Sequence, residues 1–178
     1  MSDFSTLYTL NDHSLNTKSE NERCSIRTVD LVYPHIAVNI GSGVSILLVK
    51  SKENVLRVGG TLMGGGKNIF IYLGTLIGLS KLLLNVDNYN DIMKLAEEGD
   101  NLNVDLLVKD IYSNTKSSSV PLESDVIASS FGKLHHYIQT GQKEKIRKED
   151  IAKSLLVMIC YHIAQLAVLA AQPSDIKK

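Results

Sequence analysis

The chain predicts an α/β domain, on the strength of three observations. Val38–Ile40, Val44–Val49 and Val55–Val58 are short apolar runs rich in β-branched residues, separated by Gly-Ser-Gly and Ser-Lys-Glu-Asn turns. Such runs bounded by turn formers read as successive strands of a β-meander. Downstream, apolar residues recur at helical spacing in several segments, and Ile151–Ala171 runs without glycine or proline. Strands followed by helices, with a long apolar helix at the end, make a short sheet backed by helices.

Each element has its own local reason. Gly41 and Gly43 permit a tight turn, and Ser42 and Ser45 place two hydroxyls beside it. The Gly64-Gly65-Gly66 run follows the meander and precedes a helical pattern, so its bare N–H groups suit an anion such as phosphate. Leu73–Val86 is apolar around most of its circumference, and Ile92–Glu98 continues helically with Asp87, Asn88 and Asn90 as caps. Val104, Leu107, Val108 and Ile111 predict an amphipathic helix, with Asp105, Lys109 and Asp110 outside its apolar stripe. Ser113–Ser124 reads as a polar loop, Val126–Leu134 as a buried helix start or an interface, and Thr140–Asp150 as a charged surface connection. The last helix begins near Lys148, with Glu149 and Asp150 in its first turn where the helix dipole favours acids. Leu155–Ala171 is apolar on nearly all faces but shorter than the ~20 residues of a membrane span. It contains Tyr161, His162 and Gln165, and reads as a buried central helix in which His162 and Gln165 need partners.

Composition narrows the function classes. The 178 residues are 44% hydrophobic and 21% charged, ordinary for one globular domain. Nineteen basic and nineteen acidic side chains cancel, so no long-range field draws the chain to nucleic acid or an anionic membrane. Cys24 and Cys160 form neither a disulfide framework nor a metal-ligand spacing, which fits a cytoplasmic setting. Residues 1–32 read as a polar, weakly ordered lead-in with residual strand signals at Leu7-Tyr8 and Leu31-Val32 and a solvated His13; residues 33–172 form the domain and 173–178 a tail. His135 and His136 are adjacent and would point about 100° apart on a helix, with no further ligand at a metal spacing. No Walker loop, serine-hydrolase elbow, zinc pattern or internal repeat is visible.

The ordered string NIGSGVSIL, Arg57 twelve residues past Ser45, then GGT and GGG, followed by AEEGDNLNVDLLVKDIY and VIASSFGK, resembles the eukaryotic-type (type II) pantothenate kinases. The resemblance runs from Tyr33 to Ala171 and implies one lobe of an actin-like (ribonuclease H-like) kinase fold. It implies transfer of the ATP γ-phosphoryl group to pantothenate, with Mg2+, inhibition by acyl-CoA, and a homodimer. On this resemblance Ser42, Ser45 and Arg57 hold pantothenate or acyl-CoA. Ile111, Tyr112, Ile127 and Ala128 reach that site from the partner protomer, and Gly60, Thr61, Gly64, Gly65 and Gly66 face the ATP phosphates. From the residues alone the serines cap turns equally well, Arg57 is a surface charge at a strand end, the glycines are turn formers, and the four partner-side residues are core or interface.

Departures from the family pattern set further expectations. A phosphate loop, a catalytic glutamate and a threonine-glycine-rich segment, all expected ahead of the meander, do not precede Val38, and the family's closing strand and glycine do not follow the long helix. The isolated chain is therefore expected to be inactive, either as a fragment of a kinase or as a noncatalytic homolog that binds acyl-CoA or pairs with a complete kinase. The tyrosine the family carries shortly after Tyr112 is replaced within SNTK. Lys67–Gly74 interrupts the junction of the glycine run with its helix, reading as a short intron translated in frame or as a true insertion.

Overall fold

A computed structural model describes residues 32–65, 74–112 and 124–172. The chain divides at Val32/Tyr33, and Tyr33–Lys178 holds every element described below. The lead-in signals at Leu7-Tyr8 and Leu31, His13, Gly66, most of the Ser113–Ser124 loop and the 173–178 tail lie outside the described residues.

Strands β1 (His35–Ile40), β2 (Val44–Val49) and β3 (Val55–Thr61) form an antiparallel sheet in that order. The turn of the second hairpin is closed by Ser51, whose hydroxyl accepts the amides of Glu53 and Asn54 at 3.3 and 3.1 Å. β2 alternates as a half-buried strand should: Val44, Ile46 and Leu48 are buried, while Ser45, Leu47 and Val49 are less so. β3 extends past the expected Val58 because Gly59 and Gly60 continue the ladder against Ile46 and Ser45. Between these pairs and Arg57↔Leu47 the register shifts, leaving Val58 as the extra residue of a bulge.

Helices α1 (Thr75–Leu84), α2 (Tyr89–Glu98) and α5 (Lys148–Ala171) cover one face of the sheet. α2 starts where Asn88 accepts the Asn90 amide at 2.9 Å, as capping residues do. α1 ends at Asn85, whose left-handed conformation lets its amide close on Lys81. The core joins Val44 and Ile46 to Leu76, Ile77, Ile92, Leu155, Ile159 and Ile163.

Two expectations are corrected. The Val104–Tyr112 segment is not one helix: a 3-10 turn at Asn101–Asn103 leads into strand β4 (Leu106–Leu107), and α3 (Val108–Tyr112) begins only afterwards. β4 pairs with β5 (Ile127–Ser129), which occupies the stretch expected as a helix start, and α4 runs only from Leu134 to Gln139. Nonlocal pairing overrides the local periodicity here. The long helix is not buried all round. Asp150, Ala152, Ser154, Leu155, Ile159 and Ile163 are buried, whereas Tyr161, Val168 and Leu169 are more than half exposed. The sheet, α1, α2 and the 3-10 turn all pack against α5, and its remaining faces stay open. At 24 residues α5 is long and apolar enough, by length and composition alone, to cross a membrane.

Two buried carboxylates tie α5 to the 101–105 turn. Asp150 accepts the Asp100 amide at 2.9 Å and the Asn103 side-chain amide at 3.1 Å. Asp105, which periodicity had placed outside the apolar stripe, is fully buried and accepts from Asn101 Nδ2 at 2.8 Å, the Phe131 amide at 2.8 Å and the Ser154 hydroxyl. A carboxylate removed from water needs this many donors to remain tolerable.

Candidate functional site

The meander brings three polar groups onto one face. Ser45 pairs with Gly60 on one side and with Asn39 on the other, and Leu47 pairs with Arg57. Directly paired residues share a face, and Ser45 and Leu47 are two apart, so Asn39, Ser45, Gly60 and Arg57 all project away from the Val44–Ile46–Leu48 face. Arg57 and Gly60 are three positions apart, which in a regular strand would put them on opposite faces. The Val58 bulge cancels that difference. A Cβ built on Gly60 would stand 2.6 Å from Arg57 Nη2, so the guanidinium lies over this glycine. Arg57 is exposed, and Ser42 is exposed in the turn one residue before Gly43. A planar donor fork beside hydroxyls and an amide suits a carboxylate or a phosphate. Asn39 was missed from sequence; its signal was a polar residue at an outward position of an otherwise apolar strand.

The glycine loop is built against the first hairpin. Thr61 Oγ1 accepts the Met63 amide at 3.2 Å, and Gly64 and Gly65 are buried. A Cβ on Gly64 would meet the Ser42 and Gly41 carbonyl oxygens at 2.4 and 2.5 Å, so only glycine allows the loop to lie on the turn. Helix α1 docks on the same loop: Thr75 Oγ1 donates to the Leu62 carbonyl at 3.1 Å, and the Leu76 amide donates to the Gly64 carbonyl at 3.1 Å. The first turn of α1 carries no acidic residue and no side-chain cap, and among the described residues the Gly64 carbonyl is what its Leu76 amide meets, so the positive end of its dipole lies beside Gly64 and Gly65. Gly65 and Gly74 are neighbours, with Gly65 Cα 3.4 Å from a Cβ built on Gly74.

A third feature is an apolar cleft of about 630 Å³, lined chiefly by Met63, Ile127, Ala128, Met158, Tyr161 and His162. Ile127 and Ala128 are among the residues singled out from sequence; Ile111 and Tyr112 are exposed on α3 and are not among the cleft's lining residues. Met63 and the α5 residues were not anticipated, because a Met or Tyr within a helical apolar run reads as core. Gln165 finds its partner within α5, donating to Tyr161 Oη at 2.6 Å. His162 is exposed at the cleft. The cleft borders α5, which packs on the Val44–Ile46 face, whereas Arg57 and Ser45 occupy the other face of the sheet.

Beside β4, the Asp110 carboxylate accepts the Leu107 amide at 2.9 Å and pairs with Lys133 at 3.1 Å. The Leu107 amide above all, and then Lys133, hold Asp110 below the ordinary carboxylate value. Among the described residues no three His, Cys, Asp or Glu side chains come together as a metal-holding group.

A meander backed by helices, with a glycine loop beside a helix N-terminus that lacks a side-chain cap, is consistent with a kinase lobe. The sequence model of the Fumble family matches residues 4–178, and the chain belongs to that family, the eukaryotic-type pantothenate kinases. Pantothenate kinase 1 of Arabidopsis thaliana is 40% identical over 148 residues, covering 83% of this chain and 36% of that protein. Pantothenate kinase of Schizosaccharomyces pombe is 40% identical over 146 residues, 82% of this chain and 34% of its own length. Pantothenate kinase 2 of Arabidopsis thaliana is 38% identical over 161 residues, 90% of this chain and 17% of its own. The chain thus spans 17–36% of the length of these relatives.

Proposed function

We propose that this chain is the substrate-side part of a cytoplasmic pantothenate kinase, an actin-like enzyme that transfers the ATP γ-phosphoryl group to the 4′-hydroxyl of pantothenate in the first step of coenzyme A synthesis. The observation that carries the reading is Arg57 lying over Gly60 on the same sheet face as Ser45 and Asn39. This constellation is chemically matched to the pantothenate carboxylate and to the phosphates of an inhibitory acyl-CoA. Gly60, Thr61, Gly64 and Gly65, with Gly66 beyond them, serve the ATP phosphates, helped by the dipole of α1. Mg2+ enters with the nucleotide.

A homodimer fits the same geometry. Within one chain Ile127 and Ala128 border the α5 cleft on the far side of the sheet from Arg57. A second copy supplying Ile127, Ala128, Ile111 and Tyr112 brings the apolar wall to the polar face, and the side chains of Ile111 and Tyr112 lie at the surface.

Titration calorimetry of the purified chain with long-chain acyl-CoA tests this reading. The expected result is binding that Arg57→Ala weakens at least about tenfold, the loss of one charge-assisted pair. Absent binding, or binding indifferent to Arg57, overturns it. Phosphopantothenate formation by the chain alone is expected at background. Coelution with a complete kinase of the family, without turnover of its own, would assign the noncatalytic role instead.

A further inference from the structure

Phe131 is a bulky residue in the left-handed region, at φ 59°. Such a residue stays there only when its surroundings hold it. Two contacts do so. Its ring packs against the main core, and its amide donates to Asp105 Oδ1 at 2.8 Å. The same oxygen accepts the Ser154 hydroxyl from α5, while Oδ2 accepts Asn101 Nδ2 at 2.8 Å. Phe131 opens the turn between β5 and α4, where the Gly132 amide donates to Ser129, the Lys133 amide to Val104 and the Leu134 amide to Phe131 itself. Immediately before this turn stand Ile127, Ala128, Ser129 and Ser130, which line one wall of the cleft; Val157, Met158, Tyr161 and His162 of α5 line the other.

We propose that Asp105 is a positioning residue of the cleft. It touches no part of the cleft itself. Acting through the Phe131 amide and the Ser154 hydroxyl, one carboxylate oxygen joins the turn that ends the β5 wall to the helix that forms the opposite wall, and so sets the gap between them. Among the described residues the short β5 has only β4 as its strand neighbour, with a shift of register between Leu106 and Leu107, so that ladder alone holds the wall weakly. The consequence for binding rests on the homodimer proposed above, in which Ile127 and Ala128 of this wall complete the acyl-CoA site of the other protomer.

Two variants separate positioning from general stability. Asp105→Ala leaves three donors without an acceptor. Asp105→Asn keeps the oxygen that Phe131 and Ser154 share, and its new amide group faces Asn101, whose own amide can turn to accept. Amide hydrogen exchange of the 178-residue chain is expected to show Ile127, Ser129 and Phe131 exchanging at least about tenfold faster in Asp105→Ala, with Ile46, Leu48 and the α2 amides unchanged and Asp105→Asn close to the parent chain. Acyl-CoA affinity should fall with Asp105→Ala and be rescued by Asp105→Asn. Should Asp105→Ala fail to fold, Ser154→Ala is expected to give the same local pattern at smaller amplitude. Uniform acceleration over all elements, no change at Ile127–Phe131, or failure of Asp105→Asn to rescue overturns the inference. A parent chain that binds no acyl-CoA overturns the ligand reading instead, and the exchange pattern still decides whether Asp105 holds the wall.

Discussion

The guanidinium of Arg57 rests against Gly60, where a methyl group would stand 2.6 Å from Nη2 and 2.4 Å from the carbonyl oxygen of Val44. A flexible side chain can move aside; a strand carbonyl cannot without breaking the ladder. Gly60→Ala is therefore expected to destabilise the chain by about 1–3 kcal/mol, the range of overpacking at a closed site. It should also displace Arg57 and weaken acyl-CoA binding at least about tenfold. Urea denaturation and calorimetry on the same variant read the two effects separately. Unchanged binding in a destabilised variant would detach Gly60 from Arg57.

The contact between Gly65 and Gly74 concerns the insertion. Thr75 and Leu76 already hydrogen-bond to the carbonyls of Leu62 and Gly64, so α1 is anchored to the loop across the gap. Removing Lys67–Gly74 is expected to leave melting within about 4 °C of the parent chain, since the Thr75 and Leu76 anchors remain and Gly66, then preceding Thr75, can replace Gly74 as the acceptor of the Gly78 amide. A fall well beyond that would show that the eight residues are integral to the fold. Sequencing the mature transcript across these codons tells whether they are translated at all.

Ser80 provides a test with the opposite sign. Its hydroxyl is fully buried in α1 and meets no hydrogen-bond partner among the described residues. Ser80→Ala removes an unsatisfied polar atom and installs the best helix former, so stability should rise by about 1–2 kcal/mol. A loss in the same denaturation experiment would reveal a partner for this hydroxyl.

Among the described carboxylates held low, which include Asp87 and Asp125, Asp110 gives a test in acid. Its folded value lies below the ordinary 3.8, first because of the Leu107 amide and then because of Lys133. A depressed carboxylate contributes fully above its unfolded value, and the contribution fades as pH falls through the folded one. Asp110→Asn should therefore flatten the dependence of stability on pH only below about pH 4, leaving the slope near neutrality unchanged. Denaturant midpoints at a series of pH values check this, and a change of slope between pH 6 and 8 would contradict it.

Much of the meander was legible from residue pattern because its determinants are local. Val44, Ile46 and Leu48 alternate with Ser45 and Leu47, and the turns between strands are written in Gly and Ser. The start of α5 was legible for the same reason, with Glu149 and Asp150 in its first turn. Asp105 was placed outside the apolar stripe because periodicity says nothing of the Phe131 amide and the Ser154 hydroxyl that converge on it from 26 and 49 residues away. The pairing of Leu107 with Ile127 is likewise invisible to a helical window. Exposure of Tyr161, Val168 and Leu169 was missed for a different reason: apolarity records what a side chain would prefer to touch, whereas burial depends on what is there to cover it. The polar site was half legible. Ser42, Ser45 and Arg57 were named, but the shared face depends on an unpaired residue at Val58 that no composition reveals.

That one unpaired residue separates two kinds of genetic damage. Deleting Val58 would let β3 pair regularly with β2, so the hairpin and its turns could still form. Arg57 would stay opposite Leu47 and, now two positions from Gly60, on the same face as it. Such an allele would yield a protein that accumulates and keeps its polar face, whereas substitutions at Ile46 or Leu155 would be lost through misfolding before binding was ever tested. Along this hairpin, what matters to inheritance is which residues stand opposite one another, not how many lie between them.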